Sequence, residues 1–154
     1  MAEHYATIEW QRNGDSFLDD SYSRAHAWRF DGGTVVPASP SPHIVPEPMS
    51  VAANVDPEEA CVASLSSCHM LFFLSICSKR KFVVDSYEDT AVGYLEKNAD
   101  GRMAVTRVVL RPRATYSGDR IPTQQQLEKI HHRSHELCFI ANSVTTEVST
   151  EIVS

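Results

Sequence analysis

The stretch DPEEACVASLSSCHMLFFLSIC, residues 56–77, decides the fold because it is the strongest helix signal in the chain. Asp56 suits the N-cap, Pro57 suits the first helical position, and Glu59 completes an acidic variant of the capping box. The helix is predicted to run to about Lys79. Its apolar residues point in nearly every direction, and a helix that is apolar all round is predicted to be buried. This helix is therefore expected at the centre of the fold.

Alternating apolar residues and turn chemistry predict β-structure on both sides of this helix. The other predicted elements are strands at 5–10 and 25–30, a proline-rich loop at 36–48, β-segments at 83–96 and 103–117 joined by a hairpin loop at 97–102, a second helix at 123–137, and a closing strand at 144–153. This order predicts an α+β fold, with antiparallel sheets wrapped around two central helices in a single domain of residues 1–154. One small sheet cannot cover a helix that is apolar on all sides. A second copy of the chain is expected to complete the cover, as an obligate homodimer.

Composition and charge exclude some classes of function. The chain has 154 residues, 42% of them apolar, and a net charge of −6, which disfavours nucleic acid as a partner because phosphate binding needs a basic surface. The N-terminus has no apolar segment typical of a signal peptide. The apolar run at 62–77 is interrupted by serines and by His69, and is predicted to be too short and too polar to span a membrane. The expected compartment is the reducing cytoplasm.

Four cysteines need an explanation, and three of them lie on the first predicted helix. Cys61 and Cys68 are seven residues apart, about 10 Å along a helix axis, whereas a disulfide needs Cα atoms within about 7 Å. Any disulfide within the chain must therefore involve Cys138. Cys61 and Cys77 are predicted to be packed core thiols. Cys68 differs because its neighbours are polar and because it shares a side of the helix with Glu58.

The second predicted helix also suggests a metal site. His131 and His135 lie one turn apart, Cys138 follows one turn later, and His69 or Cys68 could supply a fourth ligand. The pattern is weak because no glutamate stands beside the first histidine and no CxxC pair occurs. Surface histidines on an amphipathic helix are the simpler interpretation. The sequence also contains none of the glycine-rich nucleotide-binding motifs and no GxSxG motif.

Two segments together resemble the OsmC/Ohr superfamily, the osmotically inducible and organic hydroperoxide resistance proteins. DPEEACVASLSSCHMLFFL is similar to the helix that carries the first cysteine of that family, and Glu58 and Cys68 have the spacing of its motif. HELCFIANSV resembles the segment of the second cysteine, and YSRAHAWRFDGG resembles an OsmC-like subgroup. The resemblance covers the chain from about Ser21 to its C-terminus. His69 and Phe139 depart from the pattern, since an aromatic residue and a proline are common at these positions.

The resemblance implies a cysteine-based peroxidase on an intertwined homodimer, with sites at the subunit interface. By position, Cys68 resembles the peroxidatic thiol and Cys138 the resolving thiol. Glu58 resembles the carboxylate that orients an arginine. Arg24 is preferred for that arginine over Arg29, and either would lower the pKa of the thiol and hydrogen-bond the peroxide oxygens.

The implied reaction reduces an organic hydroperoxide and regenerates the enzyme with an external dithiol reductant, without a metal or organic cofactor. An apolar funnel formed by Met70, Phe72, Phe73 and the proline-rich loop is expected to favour alkyl or lipid hydroperoxides. His69 could assist the thiolate, although a satisfied core histidine is the simpler interpretation. Two alternatives remain open: a metal-binding protein that uses the histidine-rich helix, and a non-catalytic stress protein that binds apolar ligands.

Overall fold

The computed structural model of the protein describes residues 1–154 and contains eight strands, two α-helices and one short 3-10 helix. The elements are β1 (Ala6–Glu9), β2 (His26–Phe30), β3 (Val35–Ala38), α1 (Pro57–Lys79), β4 (Val83–Asp89), β5 (Val92–Lys97), β6 (Met103–Leu110), β7 (Pro112–Ser117), α2 (Gln124–Leu137), a 3-10 helix (Ala141–Ser143) and β8 (Glu147–Thr150). The chain divides into two compact units, Met1–Ala60 and Cys61–Ser154. The single domain stays a prediction.

The first unit contains an antiparallel sheet in the order β1-β2-β3. The third strand corrects the sequence prediction, because Val35–Ala38 extends into the segment 36–48 that is predicted to be loop. It contains Pro37, which an outer strand tolerates because a missing N–H costs least there. The start of α1 is as predicted. The Glu59 N–H donates to Asp56 Oδ1 at 2.8 Å and the Asp56 N–H donates to Glu59 Oε1 at 3.3 Å, which completes the capping box.

The second unit contains the predicted hairpin, but both of its arms are broken. β4 pairs with β7 and β5 pairs with β6, so each long β-segment becomes two strands in two sheets. The break lies at Asp89, whose Oδ1 accepts the backbone N–H of Arg111 at 2.6 Å. Where the two arms bend, the Asp89 side chain thus takes the place of a backbone carbonyl as the acceptor for the Arg111 N–H. The closing strand is shorter than predicted, and it pairs with β6 in parallel.

Helix α1 buries only one stripe of its surface in the single chain. The buried residues are Leu65, His69, Phe73 and Cys77, which recur every four residues along one face. Leu71 is 59% exposed. Within one chain, only this face of the helix meets the rest of the second unit. The homodimer expected to cover the other faces stays a prediction.

The apolar character of α1 also bears on the membrane question. Its most apolar 18-residue window has a mean hydropathy of 1.8, so the helix is long and apolar enough to cross a membrane by length and composition alone. Contrary to the sequence prediction, length and polarity therefore do not exclude a membrane span for this helix. The core helices of soluble proteins have the same properties.

Two apolar clusters hold α1 in the second unit. One is formed by Phe73, Cys77, Phe82 and Ile130, the other by Leu65, Val108 and Leu110. Helix α2 begins with the predicted capping box at Thr123 and ends at Leu137 as predicted. Two helices with largely antiparallel sheets confirm the α+β class.

Candidate functional site

The structure brings Cys68 and Cys138 together. Cys68 is half-buried in the middle of α1, and Cys138 forms the C-cap of α2. The Cys68 thiol lies close enough to contribute to the raised pKa of Cys138, and both thiols are free. Two sulfur atoms that are distant in sequence are therefore neighbours in space, which is the arrangement that a reversible disulfide requires.

Cys138 lies in an enclosed and partly polar environment. Its side chain is 1% exposed, and burial is the main cause that raises the pKa of the thiol. The backbone N–H of Ala141 opposes this effect by donating to Sγ at 3.4 Å. The turn that follows α2 positions this donor, because the Asn142 N–H donates to the Cys138 carbonyl oxygen at 3.0 Å. The thiol is therefore held neutral, with a donor ready to stabilise a thiolate that forms.

The other two cysteines have the surroundings of packing residues. Cys77 is fully buried in the first apolar cluster, and burial raises the pKa of its thiol to about 11. Such a thiol carries almost no thiolate at neutral pH. Cys61 is half-buried against the cluster that contains Leu65. Neither cysteine is placed like the Cys68 and Cys138 pair.

A buried pair of histidines joins the two helices beside the thiols. His69 Nε2 lies 2.9 Å from His131 Nδ1, with the two ring planes only 6° apart. His131 also packs its ring face on Phe73, with centroids 4.5 Å apart. Burial is the main cause that lowers the pKa of both histidines to about 4, so both are neutral at pH 7. The prediction of a satisfied core histidine holds only for one nitrogen, because His69 Nδ1 has no partner.

A second polar contact ties α1 to the bend of the hairpin. The Ser66 hydroxyl donates to Asp89 Oδ2 at 2.5 Å, while Asp89 Oδ1 accepts the Arg111 N–H. The same carboxylate opposes the lowering of the His69 pKa through its charge. Asp89 therefore lies at the break in the strands, and its charge also acts on the pKa of His69.

The two phenylalanines predicted to line a funnel have different environments. Phe72 is half-buried and packs edge-on against Phe139, with ring centroids 5.0 Å apart. Phe73 is fully buried in the core between Tyr87 and His131. Its position argues against a role in contacting substrate, since no open surface reaches it. Phe139 is 70% exposed.

The predicted charged residues lie in the first unit and pair locally. Arg24 donates to Asp20 Oδ1 at 2.6 Å and lies over the ring of Tyr22 at 3.7 Å. Arg29 donates to Glu9 Oε2 at 2.9 Å on the surface of the sheet. Glu58 takes part in none of the ion pairs of the chain. The expected pair between Glu58 and an arginine is therefore not formed in this single chain.

The side chains proposed for a metal do not converge. No group of three or more His, Cys, Asp and Glu side chains is arranged to hold a metal ion. His131 turns instead toward His69, and Cys138 lies beside Cys68. His132 and His135 border an open surface cavity of about 250 Å³. The cavity is lined by Glu128, His131, His132, His135, Val148, Thr150 and Ile152. The arrangement counts against the metal alternative.

Sequence reasoning missed two elements of this region, the bond between His69 and His131 and the role of Asp89. A signal existed for the first, because His69 interrupts the apolar stripe of α1 and a polar residue there needs a partner. For His131, which follows the buried Ile130 on α2, the sequence pattern predicts a metal ligand or a surface residue. Asp89 gave little signal, since it lies inside a segment that reads as one strand.

Comparisons with family models and with solved structures point to the same family. The family model described as OsmC-like protein matches residues 51–153. An OsmC-like protein of unknown function from Vibrio cholerae has 61% sequence identity and a TM-score of 0.97, covering 99% of this chain and 100% of that chain. None of the curated proteins compared with this chain matches it.

Two further solved structures share the fold at low identity. An organic hydroperoxide resistance protein OsmC from Legionella pneumophila has 13% identity and a TM-score of 0.73, with 100% of this chain and 98% of that chain covered. The organic hydroperoxide resistance protein of Bacillus subtilis has 16% identity and a TM-score of 0.67, with coverages of 99% and 98%. At such identities the likeness extends to the fold alone.

Proposed function

Because the chain belongs to the OsmC-like family, we propose that it is a thiol-dependent peroxidase that reduces organic hydroperoxides to alcohols. Membership supports a redox or peroxide-related stress function in general, and the finer assignment comes from the residues of this chain. Cys68 is the proposed peroxidatic thiol and Cys138 the proposed resolving thiol.

The observation that carries the proposal is the adjacency of these two thiols. Of the four cysteines, they are the two whose thiols interact, and the other two have the surroundings of core residues. Packing alone does not require two cysteines from different segments to meet. A disulfide that forms and opens during turnover does require it.

The first proposed step is attack by the Cys68 thiolate on the terminal oxygen of the hydroperoxide. A sulfur–oxygen bond forms, the oxygen–oxygen bond breaks, and the alkoxide takes up the proton that the thiol lost, leaving as alcohol. Cys68 becomes a sulfenic acid, oxidised by two electrons, and the peroxide is reduced by two. A thiolate is needed because the neutral thiol is a poor nucleophile.

The second proposed step closes the disulfide. The sulfur of Cys138 attacks the sulfenic sulfur, its proton joins the departing hydroxide to form water, and the Cys68–Cys138 bond results. The Ala141 N–H supports this step by stabilising negative charge on Cys138 Sγ as its proton leaves. An external dithiol then reduces the disulfide by thiol exchange and returns both cysteines to the free state.

The family motif supplies the remaining proposed roles. Glu58 would orient an arginine that hydrogen-bonds the peroxide oxygens, and Arg24 is preferred to Arg29 for this part. In the single chain Arg24 is held by Asp20, so this role requires exchange of one carboxylate partner for another. Phe72 is proposed to contact the organic part of the substrate.

A homodimer and a cytoplasmic location complete the proposal. The exposed apolar faces of α1, including Leu71, support the dimer because apolar surface of this kind is normally covered. The need for a dithiol reductant supports the cytoplasm, where thiols are kept reduced.

The test counts thiols by alkylation and intact mass before and after one equivalent of cumene hydroperoxide. The proposal expects the loss of two thiols and a peptide map with a Cys68–Cys138 disulfide. A Cys77→Ala variant serves as the matched control and should lose the same two thiols. Four free thiols after prolonged exposure would overturn the peroxidase and favour a non-catalytic protein that binds apolar ligands.

A further inference from the structure

We propose that His69 and His131 are positioning residues that hold the Cys138 thiol in line for attack on Cys68. The inference rests on the proposed function in that it concerns the same two thiols. It assigns a purpose to two buried histidines that the peroxidase chemistry itself does not use.

The pair occupies a distinctive position between the two helices. The contact between His69 and His131 is the one hydrogen bond between a side chain of α1 and a side chain of α2. His69 directly follows Cys68 on α1, while His131 lies two turns before the Cys138 cap on α2. The bond therefore links the two segments whose relative placement determines the distance between the sulfur atoms.

Helix α1 constrains His131 in two directions. His69 contacts the ring edge at 2.9 Å, and Phe73, one turn later, contacts the ring face with centroids 4.5 Å apart. An edge contact and a face contact together oppose both sliding and rotation of α2 against α1. Apolar packing alone is less directional and permits such shifts.

The histidine pair leaves one buried polar atom without a hydrogen-bond partner. His69 is 1% exposed and His131 is 5% exposed, and His69 Nδ1 is buried without any partner. A buried polar atom without a partner is destabilising, so an apolar pair would serve the core better. A directional bond explains why histidines stand here. Burial also keeps both rings neutral, so the bond persists through the pH range in which thiols exchange.

The bond pattern permits a matched set of variants. His131 uses Nδ1, whose position an asparagine side chain can reproduce, whereas glutamine cannot because its amide lies one carbon further out. His69 uses Nε2, for which the reverse holds. His69→Gln and His131→Asn therefore keep the bond, while His69→Asn and His131→Gln break it with the same chemical groups.

The experiment measures how fast diamide closes the Cys68–Cys138 disulfide, because diamide oxidises neighbouring thiols without any peroxidase step. The bond-breaking variants should close about tenfold more slowly than the bond-keeping variants, since small displacements of reacting atoms reduce rates steeply. Equal rates in all four variants overturn the inference. The inference is also overturned if closure slows in proportion to the loss of thermal stability, in bond-keeping and bond-breaking variants alike.

A second measurement separates this inference from the proposed function. In a Cys138→Ser background, sulfenic acid on Cys68 is trapped with dimedone after cumene hydroperoxide. The trapping rate should be equal in both classes of variant, because the histidines position the resolving thiol; slower trapping in the bond-breaking class overturns that role. If no sulfenic acid forms in any of them, the peroxidase proposal fails, while the diamide result still decides the role of the pair.

One further variant covers the case in which the bond-breaking proteins do not fold. His69→Leu combined with His131→Leu removes both polar partners and leaves no buried donor or acceptor unpaired, a change that is often neutral for stability. Slow diamide closure in this folded double variant supports the positioning role. Closure at the rate of the unmodified protein overturns it.

Discussion

His69 on α1 and His131 on α2 share a hydrogen bond of 2.9 Å although sixty-two residues separate them in the chain. Both rings are neutral at neutral pH because burial lowers their pKa to about 4. The bond therefore joins the helix that carries Cys68 to the helix that Cys138 caps.

Acid should destabilise the protein through these histidines. An unfolded histidine titrates near pH 6.5, so between about pH 6.5 and 4 the unfolded chain binds protons that the folded chain excludes. The free energy of unfolding should be level above that window and fall as pH decreases through it, by on the order of 3 kcal/mol per histidine. The neighbouring His135 charge strengthens the effect on His69, and Asp89 opposes it.

Urea unfolding at several pH values checks this expectation. The double variant His69→Gln/His131→Asn keeps the bond but cannot titrate, so its stability should fall less between pH 6.5 and 4. His132→Gln, a change at a side chain that is 74% exposed, should leave the pH dependence as it is. Parallel curves for the protein and the double variant would contradict the role of the buried pair.

Removing the resolving thiol should redirect oxidation rather than abolish it. In Cys138→Ser, the Cys68 sulfenic acid has no partner, so excess cumene hydroperoxide should carry it to sulfinic acid. Intact mass should show the gain of two oxygen atoms, localised to Cys68 by peptide mapping. Cys68→Ser should show no oxidation at Cys138, whose pKa is raised by burial. Rapid oxidation of Cys138 in that variant would exchange the two roles.

A pair of conservative arginine changes tests which arginine assists the thiol. Arg24→Lys should lower the second-order rate of Cys68 oxidation by about tenfold or more, because lysine cannot reproduce a bidentate guanidinium contact. Arg29→Lys, at a surface ion pair with Glu9, should leave the rate within about twofold. The rates are measured by stopped-flow with cumene hydroperoxide. The opposite order would transfer the role to Arg29.

Asp89 should contribute to stability through its two hydrogen bonds. Asp89→Ala removes the acceptor for both the Ser66 hydroxyl and the Arg111 N–H, and should destabilise the protein by about 2–3 kcal/mol. Asp85→Ala removes the exposed contact with Ser117 and is the matched control, expected to cost no more than about 0.5 kcal/mol. Chemical denaturation measures both. Equal losses would mean that the bend does not depend on Asp89.

Gly93 permits the close approach of β5 to α1. A Cβ atom there would lie 2.5 Å from Val62 Cγ2, so Gly93→Ala should destabilise the protein by about 1–3 kcal/mol. Gly32→Ala, where nothing lies within 4 Å, is the control and should have little effect. Adding Val62→Ala should recover part of the loss, as thermal unfolding would show. A tolerated Gly93→Ala would mean that the two elements are free to separate.

Much of the fold could be predicted because its signals are local. The capping boxes at Asp56 and Thr123 indicate the start of both helices within four residues of chain. The loop at 97–102 indicates the hairpin. The division of each hairpin arm at Asp89 could not be predicted, because its cause is a contact with the Arg111 backbone that only the folded chain brings near. The parallel pairing of β8 with β6 is hidden for the same reason.

The candidate site divides in the same way. Cys68 and Cys138 could be selected from their surroundings in the sequence and from the resemblance of two short segments to a family. The pairing of His131 with His69 could not, since a histidine on an amphipathic helix has the same local pattern whether it faces solvent or a partner. The local partners of Arg24 and Arg29 were equally invisible, because side-chain pairing depends on direction as well as position.

By itself the sequence determined the helices, the hairpin and the α+β class, since capping, periodicity and turn chemistry act over a few residues. It also marked Cys68 and Cys138 as candidate thiols through the resemblance of two segments to a family. Only the tertiary structure decided which face of α1 is buried, where the strands break, and that His69 bonds to His131 beside the thiols. These features depend on contacts between segments distant in the chain, whose energies exist only after the chain has folded. The reactive thiols of the proposed site can therefore be recognised from short segments of sequence, whereas their alignment depends on contacts between distant segments.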